Sequence, residues 1–231
     1  MEQINDFGDY RTLGTCAFCA GKTGTRDHCP SKIFLDDPFP ENLPVVPACK
    51  SCNSGFSLDE EYLACMISAV LAGTAEPDKI ARKKIAKILK RKPALRSRIE
   101  ASKRSLFDET VFFPENKRVI SVLTKLAQGH ALYELHESVA YEPDEISFFP
   151  LTTLSNEQRM DFETLENHNE LAVWPEVGSR AMQRLLVGQD MDDNGWIVVQ
   201  AGMYRYRALL SQGIEVRIVI NEYLGSVVRW H

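Results

Sequence analysis

The chain has 231 residues, 44% of them hydrophobic and 26% charged, with 27 Lys/Arg against 32 Asp/Glu for a formal net charge of −5. That length makes one large domain or two small ones, and the composition is that of an ordinary soluble globular chain rather than a fibrous or disordered one. No apolar stretch approaches the length of a membrane span, and there is no internal repeat or low-complexity tract.

Residues 1–14 have neither the basic n-region nor the apolar h-region of a secretory signal. Six cysteines, four of them in metal-ligand spacing, suit a reducing compartment, so the expected location is the cytoplasm. Those four form two Cys-x-x-Cys pairs, Cys16/Cys19 and Cys49/Cys52. Each pair grips one edge of an ion and the second pair closes a tetrahedral all-cysteine site, the pattern of a structural zinc. A thioredoxin-type redox reading lacks its βαβ surroundings, and two such motifs would be redundant. Cys29 and Cys65 are left over; Cys65 lies in the apolar run LACMISAVLAG and reads as a small buried hydrophobe. Cys29 reads as a packing residue rather than a fifth thiol at the metal.

Between the pairs stands the dipeptide Asp27-His28, followed by Pro30, and Asn53 directly follows the last cysteine. A zinc loop with all its ligands supplied requires neither an acid nor a histidine. The combination over residues 16–62 resembles the HNH (ββα-metal) endonuclease family, in the variant where Val-Pro-Ala-Cys-x-x-Cys-Asn (Val46 to Asn53) is followed by Asp59-Glu60-Glu61-Tyr62. The resemblance implies that His28 is the general base, since a neutral imidazole accepts a proton from water near pH 7. It implies that Asp27 and Asn53 hold one divalent ion, Mg²⁺ or else Mn²⁺ or Ni²⁺, because hard oxygen donors and an incomplete protein shell suit such an ion. It assigns Asn42 to tying down the metal loop, although here the family's usual asparagine position is Pro44 and Asn42 begins the Asn-Leu pair two residues earlier. Ser57 stands where many members carry a histidine. A β-hairpin is expected, with Asp27-His28 on or after its first strand.

Ser57-Leu58-Asp59-Glu60 reads as a capping box opening a helix over 58–71 that ends near Gly73. In that reading the acids serve the helix N-terminus, and Glu60 or Glu61 is weighed as a further ligand of the catalytic ion. Residues 78–105 carry twelve Lys/Arg and two Asp/Glu, whereas the rest carries 15 and 30, so a basic segment stands out from an acidic remainder. Ile80, Ile85, Ile88 and Leu89 form a thin apolar stripe beneath the basic face, and Pro93 breaks or restarts the helix. Arg82, Lys83, Lys84, Lys87, Lys90 and Arg91 are the candidates for phosphate contacts, against the plainer reading of a solvated face. No aromatics are interleaved, so base stacking is not indicated.

Residues 106–117 read as a linker with a short strand, and 118–135 as a helix ended by Gly129. A helix is expected near 156–167, and His130, His136 and His168, which lack ligand spacing, read as ordinary surface or core residues. Strands are expected over 196–200, 204–209, 215–221 and 226–230, with Asp193-Asn194-Gly195 as a turn. Arg205, Arg207 and Arg217 are left between facing solvent and contacting nucleic acid.

The expected class is α+β: a zinc-stapled ββα-metal unit (1–75), a basic helical segment (76–110) and an α+β portion with an antiparallel sheet (111–231). The last is assigned no chemistry and is left as a platform, a substrate-selecting surface, an oligomer interface or the seat of a regulatory protein partner. The leading expectation is a metal-dependent endonuclease cutting DNA phosphodiesters, with no membrane partner, and a restriction or phage-defence effector by family habit. The alternative is a zinc-stabilised nucleic-acid-binding module without catalysis.

Overall fold

The computed structural model describes residues 14–106, 109–164, 175–187, 190–210 and 212–231. In chain order it forms β1 (Thr25–His28), β2 (Val45–Ala48), α1 (Lys50–Gly55), α2 (Ser57–Ala72), α3 (Lys83–Arg91), α4 (Pro93–Ala101), β3 (Lys103–Leu106), β4 (Glu109–Phe112), α5 (Asn116–His130), β5 (Glu145–Pro150), α6 (Asn156–Glu163), α7 (Arg180–Val187), β6 (Ile197–Gln200), β7 (Tyr204–Leu210), β8 (Ile214–Ile220) and β9 (Leu224–Trp230). The fold is α+β, as expected. Two compact units emerge, residues 1–55 with 123–231, and residues 56–122. These boundaries differ from those drawn on composition: the residues after 122 share a unit with the cysteine-bearing N-terminal part.

In the discontinuous unit, β1 and β2 pair antiparallel, with Asp27 opposite Val46 and His28 opposite Val45. The ribbon has the expected strands, but residues 29–44 join them in place of a tight hairpin turn. Pro47 has no N–H to give to a ladder; its carbonyl accepts from Ala17 (2.9 Å), and the Ala48 carbonyl from Gly24 (3.1 Å), which fastens the first cysteine loop to β2.

The second part of this unit is a five-stranded antiparallel sheet in the order β5-β9-β8-β7-β6. Its last four strands fall where alternation and β-branched runs placed them. The sequence reading missed β5, within the acidic, proline-containing stretch YEPDEISFFP, which becomes a strand by pairing along β9 from Glu145–Arg229 to Pro150–Leu224. Asn221 and Glu222, both at positive φ (55° and 47°), make the β8–β9 turn, a backbone that suits the right-handed twist of a hairpin.

Arg205, Arg207 and Arg217 neither face solvent nor stand free for nucleic acid. Arg207 and Arg217 are buried, and Arg205 holds Glu163 and Glu222 in ion pairs of 2.6 and 2.8 Å. Helix α6 explains this. It opens with a capping box between Ser155 and Gln158, and its last carbonyls lack helical partners. Arg217 Nη1 donates to the Asp161 and Phe162 carbonyls (2.6 and 2.8 Å), where a cation also complements the helix dipole. Arg207 donates to the Asn194 carbonyl (2.8 Å) and stacks over Trp196. Burial and the neighbouring Arg217 push its guanidinium down to about 10. The end of the helix expected over 156–167 and His168 lie outside the described residues.

Gly129 does not end its helix. α5 runs to His130 and continues as a π-helical turn over Ala131–Leu135, closing at His136 with φ 63°. The glycine is needed for space: a Cβ there would lie 2.6 Å from Cys29 Sγ. Cys29 is 2% exposed and its thiol donates to the Leu126 carbonyl at 3.3 Å, so it packs as expected. Alanine normally gains about 1 kcal/mol over glycine inside a helix, whereas forcing an extra carbon into a filled core costs about 1–3 kcal/mol. Gly129→Ala is therefore expected to destabilise wild type but to be neutral or stabilising in a Cys29→Ala background, a coupling that a denaturant double-mutant cycle reads directly.

His130 is fully buried, with Nε2 2.8 Å from the Tyr204 hydroxyl and its ring stacked on Tyr206 at 3.6 Å. Burial pushes its pKa down to about 3. Below pH 6.5 the unfolded chain takes up a proton that the fold refuses, so stability falls with pH. The folding equilibrium is expected to weaken by up to roughly tenfold per pH unit between 6.5 and 5. Urea titrations at pH 7 and 5 should show part of that loss removed in a folded His130→Gln variant; an undiminished loss would contradict it.

In the second unit, the middle of α2 is buried on every face, with Tyr62, Leu63, Ala64, Cys65, Met66, Ile67 and Ala69 inside, as a core helix requires. It ends where expected, at Gly73 with φ 68°. The predicted capping box is absent: Ser57 is already helical, Phe56 holds the N-cap position and makes no side-chain cap bond. Pro93 does restart the helix, as the first residue of α4. On α3, Ile85 and Leu89 are buried beneath exposed lysines. The stretch 106–117 contains the expected short strand, β4, which pairs antiparallel with β3, and runs into the start of α5. Arg118 closes this unit's polar edge, 3.3 Å from both Asp59 and Glu115 and stacked over Tyr62.

Candidate metal centre and the Asp27–His28 strand

The two cysteine pairs meet. Cys16, Cys19, Cys49 and Cys52 place their sulfurs within 4.8 Å of one another, with Cys19 and Cys49 3.8 Å apart. A tetrahedron of zinc–sulfur bonds of about 2.3 Å has edges of roughly 3.8 Å. The donor set therefore fits a structural zinc, and all four corners are filled by protein. Local backbone builds it: Cys16 N donates to the Gly21 carbonyl at 2.7 Å, and Cys52 N donates to Cys49 Sγ at 3.4 Å. The Ser51 hydroxyl beside Cys49, 3.1 Å away, is the main cause holding that thiol down to about 6, while burial and the neighbouring thiols push Cys52 up, so Cys49 is the first of the group to become a thiolate. Cys29 and Cys65 are buried outside this cluster.

The same knuckle delivers Asn53. Its backbone N–H donates to the Cys49 carbonyl (3.0 Å), and its Nδ2 donates to Thr25 Oγ1 (3.0 Å) and the Arg26 carbonyl (2.9 Å), both on β1. Both of these side-chain bonds come from the amide nitrogen. The asparagine is thereby tied to the strand that carries Asp27 and His28. His28 is half-buried, and burial first, then the charge of Lys32, lowers its pKa from 6.5. Asn42 sits half-buried in the turn just before β2.

Sequence reasoning missed one member of this group, Lys125 of α5. Its side chain is 2% exposed, its Nζ lies 2.7 Å from Asp27 Oδ2 and 3.1 Å from Ser31 Oγ, and it sits over the Phe18 ring at 5.5 Å. Asp27 keeps 12% side-chain exposure although Oδ2 itself is covered, so its exposure lies in its other atoms. A signal was there: Lys125 interrupts the apolar face of Val122, Leu123 and Leu126, where an ammonium requires a buried partner.

The candidate phosphate-binding residues belong to the other unit. Lys83, Lys87, Lys90 and Arg91 are exposed on α3, with Lys84 half-buried and Arg82 half-buried at the helix N-cap. Glu60 is buried in α2, and Glu61 pairs with Lys92 at 2.7 Å. Among the described residues no helix is long and apolar enough to cross a membrane. Compared with known proteins, the chain matched no family model, no curated protein and no solved structure.

Proposed function

We propose that this protein is a metal-dependent endonuclease of the HNH type acting on DNA phosphodiester bonds. The observation that carries the reading is the strand β1. Adjacent Asp27 and His28 lie on it, and Asn53, placed by the cysteine cluster, is bonded to it twice. His28 accepts the proton of the attacking water; a lowered pKa keeps its imidazole neutral and ready to do so. Asp27 and the amide oxygen of Asn53 would hold a Mg²⁺-class ion, a donor set of hard oxygens that fits it. When bound, that ion supplies Lewis-acid stabilisation of charge on the phosphate and the departing oxygen. The exposed lysines of α3 would contact backbone phosphates without reading sequence.

The test is conversion of supercoiled plasmid by purified protein with Mg²⁺, Mn²⁺ or Ni²⁺ against EDTA. Ion-dependent nicking or linearisation is the expected result. A second reading, a zinc-stabilised nucleic-acid-binding module without catalysis, is favoured by one observation: Asp27 already has an ion-pair partner in Lys125. It would be upheld by salt-dependent DNA binding with no conversion under any of the three ions.

A further inference from the structure

We propose that Lys125 is a positioning residue that shares the Asp27 carboxylate with the divalent ion and keeps that ion weakly held. The proposal rests on the metal site described above. The ammonium is buried and 2.7 Å from Asp27 Oδ2, and Ser31 Oγ at 3.1 Å holds it from a second direction. Burying an ammonium is costly unless it is paired, so the contact is built into the packing of α5 against the cysteine-bearing part of the same unit. Three further links fix that packing: Cys29 Sγ to the Leu126 carbonyl, the close approach of Cys29 to Gly129, and Lys125 over Phe18. The result is a carboxylate with one oxygen, Oδ2, covered and facing the ammonium at ion-pair distance, a pairing of charges rather than an aligned hydrogen bond.

Two effects of such a lysine oppose each other. It fixes the carboxylate's orientation, which favours an ion at the other oxygen. It also places a positive charge a few ångströms from where a doubly charged ion would bind, which disfavours it. Repulsion between a unit and a double charge at such close range is worth roughly tenfold or more in affinity even at the dielectric constant of water, and more in a partly buried site. Ordering one short carboxylate side chain is worth less than that. Charge therefore wins, and the sign is testable: removing the ammonium tightens metal binding. A lysine that merely held the fold together would, when removed, weaken metal binding or leave it unchanged.

The experiment uses the full-length, zinc-loaded protein, with free Mn²⁺ followed by electron paramagnetic resonance during titration. Wild type, Asp27→Asn, Lys125→Met, Lys125→Gln and Lys125→Arg are compared, with a thermal melt for each. Glutamine keeps a polar group facing Asp27 and Ser31, which guards against a Lys125→Met variant that fails to fold. Expected are binding lost in Asp27→Asn, binding tightened about tenfold or more in both neutral variants, and wild-type affinity in Lys125→Arg. Asp27-dependent binding that is unchanged or weaker in the folded neutral variants would overturn the role of Lys125 and leave the metal site standing. Absence of Mn²⁺ binding, or binding indifferent to Asp27→Asn, would overturn both.

Discussion

His28→Ala is expected to lower ion-dependent plasmid nicking by roughly 10²- to 10⁴-fold, the usual contribution of a positioned general base, while DNA binding followed by fluorescence anisotropy stays near wild type. The imidazole sits on a two-stranded ribbon and is half-buried, so its removal leaves no large void and should not unfold the unit. Its protonation gives a second readout. Burial, with the charge of Lys32, lowers its pKa from 6.5, while Asp27 acts in the opposite direction. The lowering causes win, so the base stays neutral to more acidic pH and the acid limb of the single-turnover rate should fall below pH 6.5. A rate that is unchanged in His28→Ala would remove histidine from the chemistry; nicking lost together with DNA binding would indicate a folding defect instead.

Loss of zinc is the change expected to cost the most stability. The protein should purify with one zinc per chain, and Cys49→Ser or Cys16→Ser should lose it, as read by elemental analysis. Structural zinc contributes on the order of 10 kcal/mol in small all-protein sites. The ribbon it supports has two strands of four residues each, and an isolated two-stranded ribbon is marginal in water. Hydrogen exchange should therefore show β1 and β2 losing protection in the serine variants, and nicking should fall with it because Asn53 no longer reaches Thr25 and Arg26. Full zinc occupancy in both variants would refute the four-cysteine site.

What could be read in advance depended on how far apart the cooperating residues lie. The two Cys-x-x-Cys pairs announce a tetrad because short spacing fixes which sulfurs can converge, and the sulfurs do converge. Strands β6 to β9 were legible because β-branched runs bounded by glycine have few other uses. The partner of Lys125 was not: its place on an apolar helix face calls for a buried partner, but nothing local points to Asp27 and packing of α5 brings them together. Gly129 was misread because a glycine near a helix end usually caps it, whereas this one makes room for a cysteine distant in sequence. The sheet arginines were misread for a similar reason: alternation placed them on a face, and it is the end of α6, distant in sequence, whose carbonyls accept from the buried Arg217. Ser57 was misread locally, because Phe56 is helical enough to take the cap position first.

The discontinuity of the first unit sets a timetable for synthesis. The tetrad is complete once Cys52 has emerged, but the residues that cover Cys29 follow 97 positions behind it at Leu126. At about 5–20 residues per second, translation from Cys52 to Leu126 leaves an interval of roughly 4–15 s in which the N-terminal ribbon exists without α5. During that time the Cys29 thiol, later sealed against Leu126 and Gly129, is open to oxidants, and Asp27 has no ammonium beside it. The growing chain passes through a stage at which all four cysteines have been made while the strand still lacks the helix that covers it.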